Sequence, residues 1–364
     1  MSAMPAAKPA GVAKKVPAKK AAPKIEPPPR DIAIWFIGNF APPHSTENHV
    51  ARAFRSQVGL LEEVQESDPT CWDKMTEGIH GGARPDFILW TRTNWGRDDR
   101  SAQLRFLLAA AHAHVPVIGY HLDIWWGLAR EQEVSTEPFF CVDLLITADG
   151  GHDDRWEAAN VNHVWFPPAV SAPEAVTGFP IDHYRSKLAF VGNYSGDYHQ
   201  EHQHRHELVS WLRTNFRNEC RFWPEMGQPA VRGQDLQDLY ASVDVVLGDS
   251  CFAGTGLPLY WSDRIPETLG RGGLLVHPGV PGLEKHFNEI EYDEPVTYDN
   301  GHLITWDAGD WEMLGEVIQW TLALDPAERS AIKSRAREHV LANHTYEIRM
   351  GQLIELLAER GFIR

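Results

Sequence analysis

From residue 31 to the C-terminus, short unbroken apolar runs alternate with longer amphipathic stretches. Residues 32–37, 86–90, 115–120, 141–147 and 163–168 are runs of the first kind, which predicts strands covered on both faces. A less defined strand begins near Val64. Between them fall a helix capped by Ser45 or Thr46 and running to about Val58, and a helix over 100–114 with Leu104, Phe106, Leu107, Leu108 and Ala111 on its apolar side. A second series begins with strand 187–191, a loop over 192–197 and a helix from about His202 to Phe216. It continues with strand 220–223, helix 236–243 and strand 243–247. A short edge strand at 296–298 and helices over 311–324, 326–343 and 346–359 complete the pattern. Strands alternating with helices predict parallel sheets wound on both faces, whose ligands lie at the carboxyl ends of the strands. Proline and small residues fill 167–180, a natural linker. The expected division is therefore a tail over 1–30, one domain over 31–172, a second over 173–345, and a last helix in 346–364 crossing back to the first domain.

Residues 259–279 look most like a ligand-binding stretch. They read as a loop, a helix capped by Ser262 or Asp263 with Pro266 in its first turn, a break at Gly272 and Gly273, and a buried strand at 274–276. Free N–H groups of a first helical turn attract anions, and Arg264 adds a fork of donors beside them. Glu267, one turn on, can accept from a diol such as a ribose. A diphosphate bearing a ribose would satisfy all of these groups together.

Composition narrows the classes. A chain of 364 residues with 43% hydrophobic content and 14 Trp suits two domains with sizeable cores. No apolar run reaches the roughly 18–20 residues that span a bilayer, and none follows the basic N-terminus as in a secretory signal. Cys71, Cys141, Cys220 and Cys251 are scattered without a CxxC pair, as in a reduced cytoplasmic protein, where they are expected mostly buried. The net charge of −16 hides seven Lys/Arg against one Glu in residues 1–30, so the body is more acidic than the whole. An acidic body repels a phosphate backbone, so nucleic acid is not expected as a partner except weakly through the tail. The Lys-, Ala- and Pro-rich tail has almost nothing large and apolar to bury and is expected to be disordered.

In order along the chain stand residues 120–123, 142–147, 165–169, 189–193, 239–247, 262–267 with Gly273, 281–287 and 344–349. This ordered set, spanning about 31–350, resembles the GT-B glycosyltransferases, and most closely the spore-coat-protein-like group with a family-1-type C-terminal domain. The resemblance implies two facing Rossmann-like domains with a cleft between them. It implies transfer of a sugar from a nucleotide-diphosphate donor held by the C-terminal domain to an acceptor hydroxyl on the N-terminal side. It further implies that Glu267 binds the donor ribose, that Arg264 contacts the diphosphate, and that Gly192 and Asn193 form the close-approach loop near the phosphates. By the same likeness, residues 221–223 border the base, with Trp223 at the strand end. Leu259 departs from the pattern: retaining members often carry a glutamate eight residues before the ribose-binding one, so that pair is half present here.

In such a fold, helix N-termini and arginines can stabilise the leaving diphosphate, and no metal or cofactor is expected. An inverting transfer also needs a base near the acceptor hydroxyl. Asp123 at a strand end is the first candidate, with His44 and Glu47 at the first loop and helix next. Arg205, Ser250, Tyr260 and Ser262 are further donor-side candidates. Trp90, Trp95, Trp125 and Trp126 can stack on a sugar, although core packing explains any one of them. His199, His202, His204 and His206 include a pair four apart, but nothing completes a metal site, and a solvated helix start accounts for them. The acceptor can be a protein, as on bacterial or phage surfaces, where such tails occur. Other readings are a nucleotide-sugar epimerase or hydrolase of the same fold, and a non-catalytic sugar-nucleotide-binding scaffold.

Overall fold

The computed structural model describes residues 31–93, 100–194, 203–250, 259–292 and 300–363. The tail, Trp95, His199, His202, Cys251 and the expected strand at 296–298 lie outside them.

The first domain is a six-stranded sheet, all of whose pairings are parallel. Its strands are β1 (Ala33–Gly38), β2 (Leu60–Gln65), β3 (Phe87–Thr91), β4 (Val117–His121), β5 (Leu144–Thr147) and β6 (His163–Trp165). Their order is β2-β1-β3-β4-β5-β6, so the winding direction reverses beside β1. Every residue of β3, β4 and β5 is buried, as the unbroken apolar runs require. β2 is the edge strand and alternates in exposure, which is why its sequence signal is weak. Helices α1 (Thr46–Arg55), α2 (Cys71–His80), α3 (Arg100–His112) and α4 (Asp153–Ala158) connect them. Ser45 caps α1 as expected, its Oγ accepting from the Asn48 N–H at 3.2 Å.

The second domain is another six-stranded parallel sheet. Its strands are β7 (Ser186–Val191), β8 (Cys220–Trp223), β9 (Val243–Leu247), β10 (Leu275–Pro278), β11 (Glu289–Glu291) and β12 (Leu303–Trp306), in the order β11-β12-β10-β9-β7-β8. Helices α5 (Gln203–Asn215), α6 (Gly233–Ser242), α7 (Arg264–Gly270), α8 (Trp311–Ala323) and α9 (Pro326–Asn343) cover it. β11 and β12 were not read from the sequence. The topological switch of this sheet lies at β7, between β8 and β9.

Two segments cross between the domains side by side. The Val170 N–H donates to the His344 carbonyl at 3.1 Å, and the Tyr346 N–H donates to the Val170 carbonyl at 3.0 Å. The returning segment leads into α10 (Tyr346–Glu359), whose Tyr346, Met350, Leu353 and Leu357 join the core of the first sheet with Phe36, Phe54 and Tyr120. Burying each of these side chains stabilises the docked helix by about 1.5–3 kcal/mol relative to exposure. Trp90 and Trp125 are fully buried core residues, and Trp126 packs edge-on against buried Trp156, so their faces are used internally. His204 is likewise buried beside Trp306 and Trp311, and burial depresses its pKa. It is a core histidine and not part of a solvated helix start. Cys141, expected to be buried, is exposed because residues 138–141 form a 3-10 turn ahead of β5.

Candidate functional site

A cleft of about 960 Å³ opens at the carboxyl ends of β7 and β8, at the switch point of the second sheet. Its lining includes Gly192, Asn193, Arg205, Trp223, Tyr260, Ser262, Arg264 and Glu267, eight of the nine residues proposed from sequence for the donor. The ninth, Ser250, is buried; its Oγ lies 3.5 Å from the Tyr260 carbonyl. Asp123, at the end of β4, is the one described lining residue from the first domain. The switch point of the second sheet and the end of β4 in the first therefore bring together residues that are far apart in sequence.

The centre of the cleft wall is a pair of arginines on one carboxylate. Asp249, two residues beyond β9, has a fully buried side chain. One of its oxygens accepts from Arg264 at 2.6 Å and the other from Arg205 at 2.6 Å. Arg205 also donates to the Asn193 carbonyl at 3.0 Å, which anchors the loop after β7. Asp249 was missed in the sequence; the only signal was an aspartate directly after a Gly at a strand end. Two cations on one anion leave an excess positive charge within this cluster, which suits an anionic group.

α7 presents Arg264 and Glu267 one turn apart, with Pro266 in its first turn as expected. The expected cap is not formed: Asp263 occupies the N-cap position in a helical conformation and makes no side-chain cap hydrogen bond. Its carboxylate stands in the cleft instead. That side chain is open to the water of the cleft but lies deep between the domains. Loss of bulk solvation, and then the nearby Glu267 carboxylate, push its pKa up to about 6. The charge of Asp123 adds to the same effect.

At the far side of the cleft, Trp223 ends β8 with Arg221 stacked over its ring at 4.4 Å. Arg213, also missed in the sequence, lies over the Tyr194 and Phe222 rings at 5.2 and 5.1 Å. Asp123 is held by its own turn. Buried Asp149 accepts from the Trp125 and Trp126 N–H groups at 2.7 and 3.0 Å, pinning the segment that follows Asp123. His121 accepts at Nδ1 from the Trp125 indole at 3.0 Å, and burial lowers its pKa to about 4, so it is neutral.

The other two candidate bases do not line the cleft. Glu47 is buried inside the first domain, where desolvation raises its pKa. His44 turns to the segment joining the domains, and its Nδ1 lies 3.0 Å from Oε1 of Glu174. His49 Nε2 lies 3.0 Å from the same oxygen. These three ligand atoms lie within 4.8 Å of one another, a donor set that can bind zinc. However, Arg271 donates to the other Glu174 oxygen at 2.9 Å, so the carboxylate already has a cationic partner and both of its oxygens already accept hydrogen bonds.

Residues 199–355 match the family model described as Glycosyl transferase-like. A search of curated proteins gives no match. Among solved structures, the chain is similar to an alpha-glucosyltransferase in complex with UDP-glucose and DNA containing an abasic site. That similarity has a TM-score of 0.58 at 10% identity and covers 90% of this chain and 99% of the other. It is also similar to an alpha,alpha-trehalose-phosphate synthase (UDP-forming) from Burkholderia vietnamiensis, with a TM-score of 0.56 at 9% identity over 91% and 99% of the two chains. A third similarity is to the N-terminal domain of a Candida albicans trehalose-6-phosphate phosphatase, with a TM-score of 0.53 at 10% identity over 94% and 99%. These structural similarities show a GT-B fold, and residues 199–355 are similar to the Glycosyl transferase-like family.

Proposed function

We propose that this protein transfers a sugar from a nucleoside diphosphate donor, with a UDP-sugar the first candidate, to an acceptor hydroxyl presented by the first domain. The observation that carries this reading is the Arg205–Asp249–Arg264 cluster facing Asp123 across one cleft. The arginines, already oriented by Asp249, supply positive charge where a leaving diphosphate develops negative charge, so the transition state needs no reorganisation to be stabilised. The missing side chain at Gly192 lets the Arg264 guanidinium lie against the loop after β7, within the same cleft lining. Glu267 faces the ribose hydroxyls and Trp223 borders the base. Asp123, which lines the same cleft from the first domain, is our candidate to take the acceptor proton in an inverting transfer. The order of motifs supports placing the chain among spore-coat-protein-like members, and the structural neighbours that use UDP or UDP-glucose support uracil as the base.

The test is a thermal-shift panel of UDP, GDP and ADP with their glucose conjugates. A rise in melting temperature with at least one is expected, and no rise with any of them overturns the reading. Asp123→Asn should retain donor binding while transfer falls about 10²–10⁴-fold, the range for loss of a general base.

A further inference from the structure

Arg271 follows α7 and is only 1% exposed, yet its guanidinium holds two things at once. One nitrogen donates to Glu174 at 2.9 Å. The other donates to the Glu267 carbonyl at 3.2 Å and lies 3.6 Å from the Glu267 carboxylate. Glu174 belongs to neither sheet. It ends a short turn (Ala172–Glu174) in the segment that crosses between domains, beside the returning strand at Thr345. Its Oε1 is shared by His44 and His49 of the first domain. A carboxylate only accepts, so both facing imidazole nitrogens carry their protons. Gln237 of α6 donates to the Glu174 carbonyl at 3.3 Å, fixing the backbone from the second domain. Burial alone would raise the Glu174 carboxyl, but the hydrogen bonds from His49 and His44 and the charge of Arg271 outweigh it and hold it well below the usual carboxylate range.

We infer that Glu174 and Arg271 are positioning residues that tie Glu267 of the donor site to the first domain through His44 and His49. This rests on the glycosyltransferase reading above for the role of Glu267. The physical reason is that buried charges tolerate few arrangements. Arg271 cannot shift without leaving Glu174 unpaired, and Glu174 cannot shift without leaving two imidazoles unpaired. A change in the angle between the domains therefore reaches Glu267 through one continuous set of charge-assisted bonds. Neither residue touches the donor, so their effect is on where Glu267 stands.

The experiment is calorimetric titration of the full chain with UDP, comparing wild type, Glu174→Gln, Arg271→Lys and the double variant, each first shown to melt cooperatively. Each single variant should bind UDP about tenfold more weakly, and the double variant no more weakly than the worse single, as coupled neighbours behave. A purely structural role would lower the melting temperature and leave the affinity of the folded protein unchanged. That result overturns the inference. If the wild type binds none of UDP, GDP or ADP, the functional reading falls separately. The junction is then tested by small-angle X-ray scattering, where Glu174→Gln should change the radius of gyration and an unchanged profile overturns it. Zinc chloride raising the melting temperature of the wild type but not of His49→Ala would make the cluster a metal centre, which also overturns it.

Discussion

A Cβ on Gly192 would stand 2.3 Å from Nη2 of Arg264. The loop after β7 and the first residue of α7 thus meet with no room for a side chain. Gly192 also has a φ of +154°, which L side chains rarely adopt. The Arg264 guanidinium lies between this backbone, the Phe190 ring at 5.3 Å and the Asp249 carboxylate.

Gly192→Ala should therefore push Arg264 off Asp249 without unfolding the sheet. Loss of one charge-assisted hydrogen bond to the donor, about 1.5–3 kcal/mol, corresponds to roughly ten- to a hundredfold weaker UDP binding in calorimetry. An unchanged dissociation constant would show that Arg264 does not meet the ligand.

Asp249 is the anion on which both arginines depend. Asp249→Asn keeps the shape but turns an amide donor toward one guanidinium and strands its charge. Stability should fall by about 3 kcal/mol, as when a buried pair loses one partner, read as a lower midpoint in urea. Glu267→Ala provides the contrast: its side chain is partly open to the cleft, so donor affinity should fall strongly while the urea midpoint changes little.

The pH dependence of donor binding follows from Asp263. Its folded pKa is raised from 3.8 to about 6. The carboxyl is therefore largely neutral below pH 6 and adds a negative charge beside Glu267 above it. A diphosphate should bind more tightly below this value and more weakly as pH rises through it. Its own contribution to stability has the same sign, fully present below pH 3.8 and lost as pH passes 6. Asp263→Asn should flatten the titration of UDP affinity between pH 5 and 7; a persistent slope would assign the effect to another group.

Leu259 stands where a retaining enzyme's second glutamate is expected, and its side chain is packed away from the cleft. A Cβ on Gly282 would fall 2.4 Å from Leu259 Cδ2, and one on Gly150 2.7 Å from Leu259 Cβ. The backbone is left-handed, with φ +58°, and its carbonyl accepts from the Trp165 indole at 2.9 Å. Leu259→Glu should cost roughly 2 kcal/mol or more by placing a carboxylate in this packing. It should not raise the transfer rate; a gain in rate would show that the position does reach the donor.

The sequence alone was enough to read the two parallel sheets, a helix cap at Ser45 or Thr46 and most residues of one cleft wall, because each depends on local rules. Apolar runs bury strands, small polar residues start helices, and a strand followed by a loop and helix places its loop at a ligand edge. It could not reveal Asp249, whose importance comes from two arginines 44 and 15 positions away. It ranked Asp123 ahead of His44 and Glu47 but could not tell which of the three faces the cleft. Only the tertiary structure turned Asp123 into the cleft, buried Glu47 in the core, and drew His44 to Glu174 at the crossing between domains. The reason is physical: strand and helix formation are decided by neighbours in the chain, whereas the burial and charge around a side chain are set by segments that meet only when both sheets have closed.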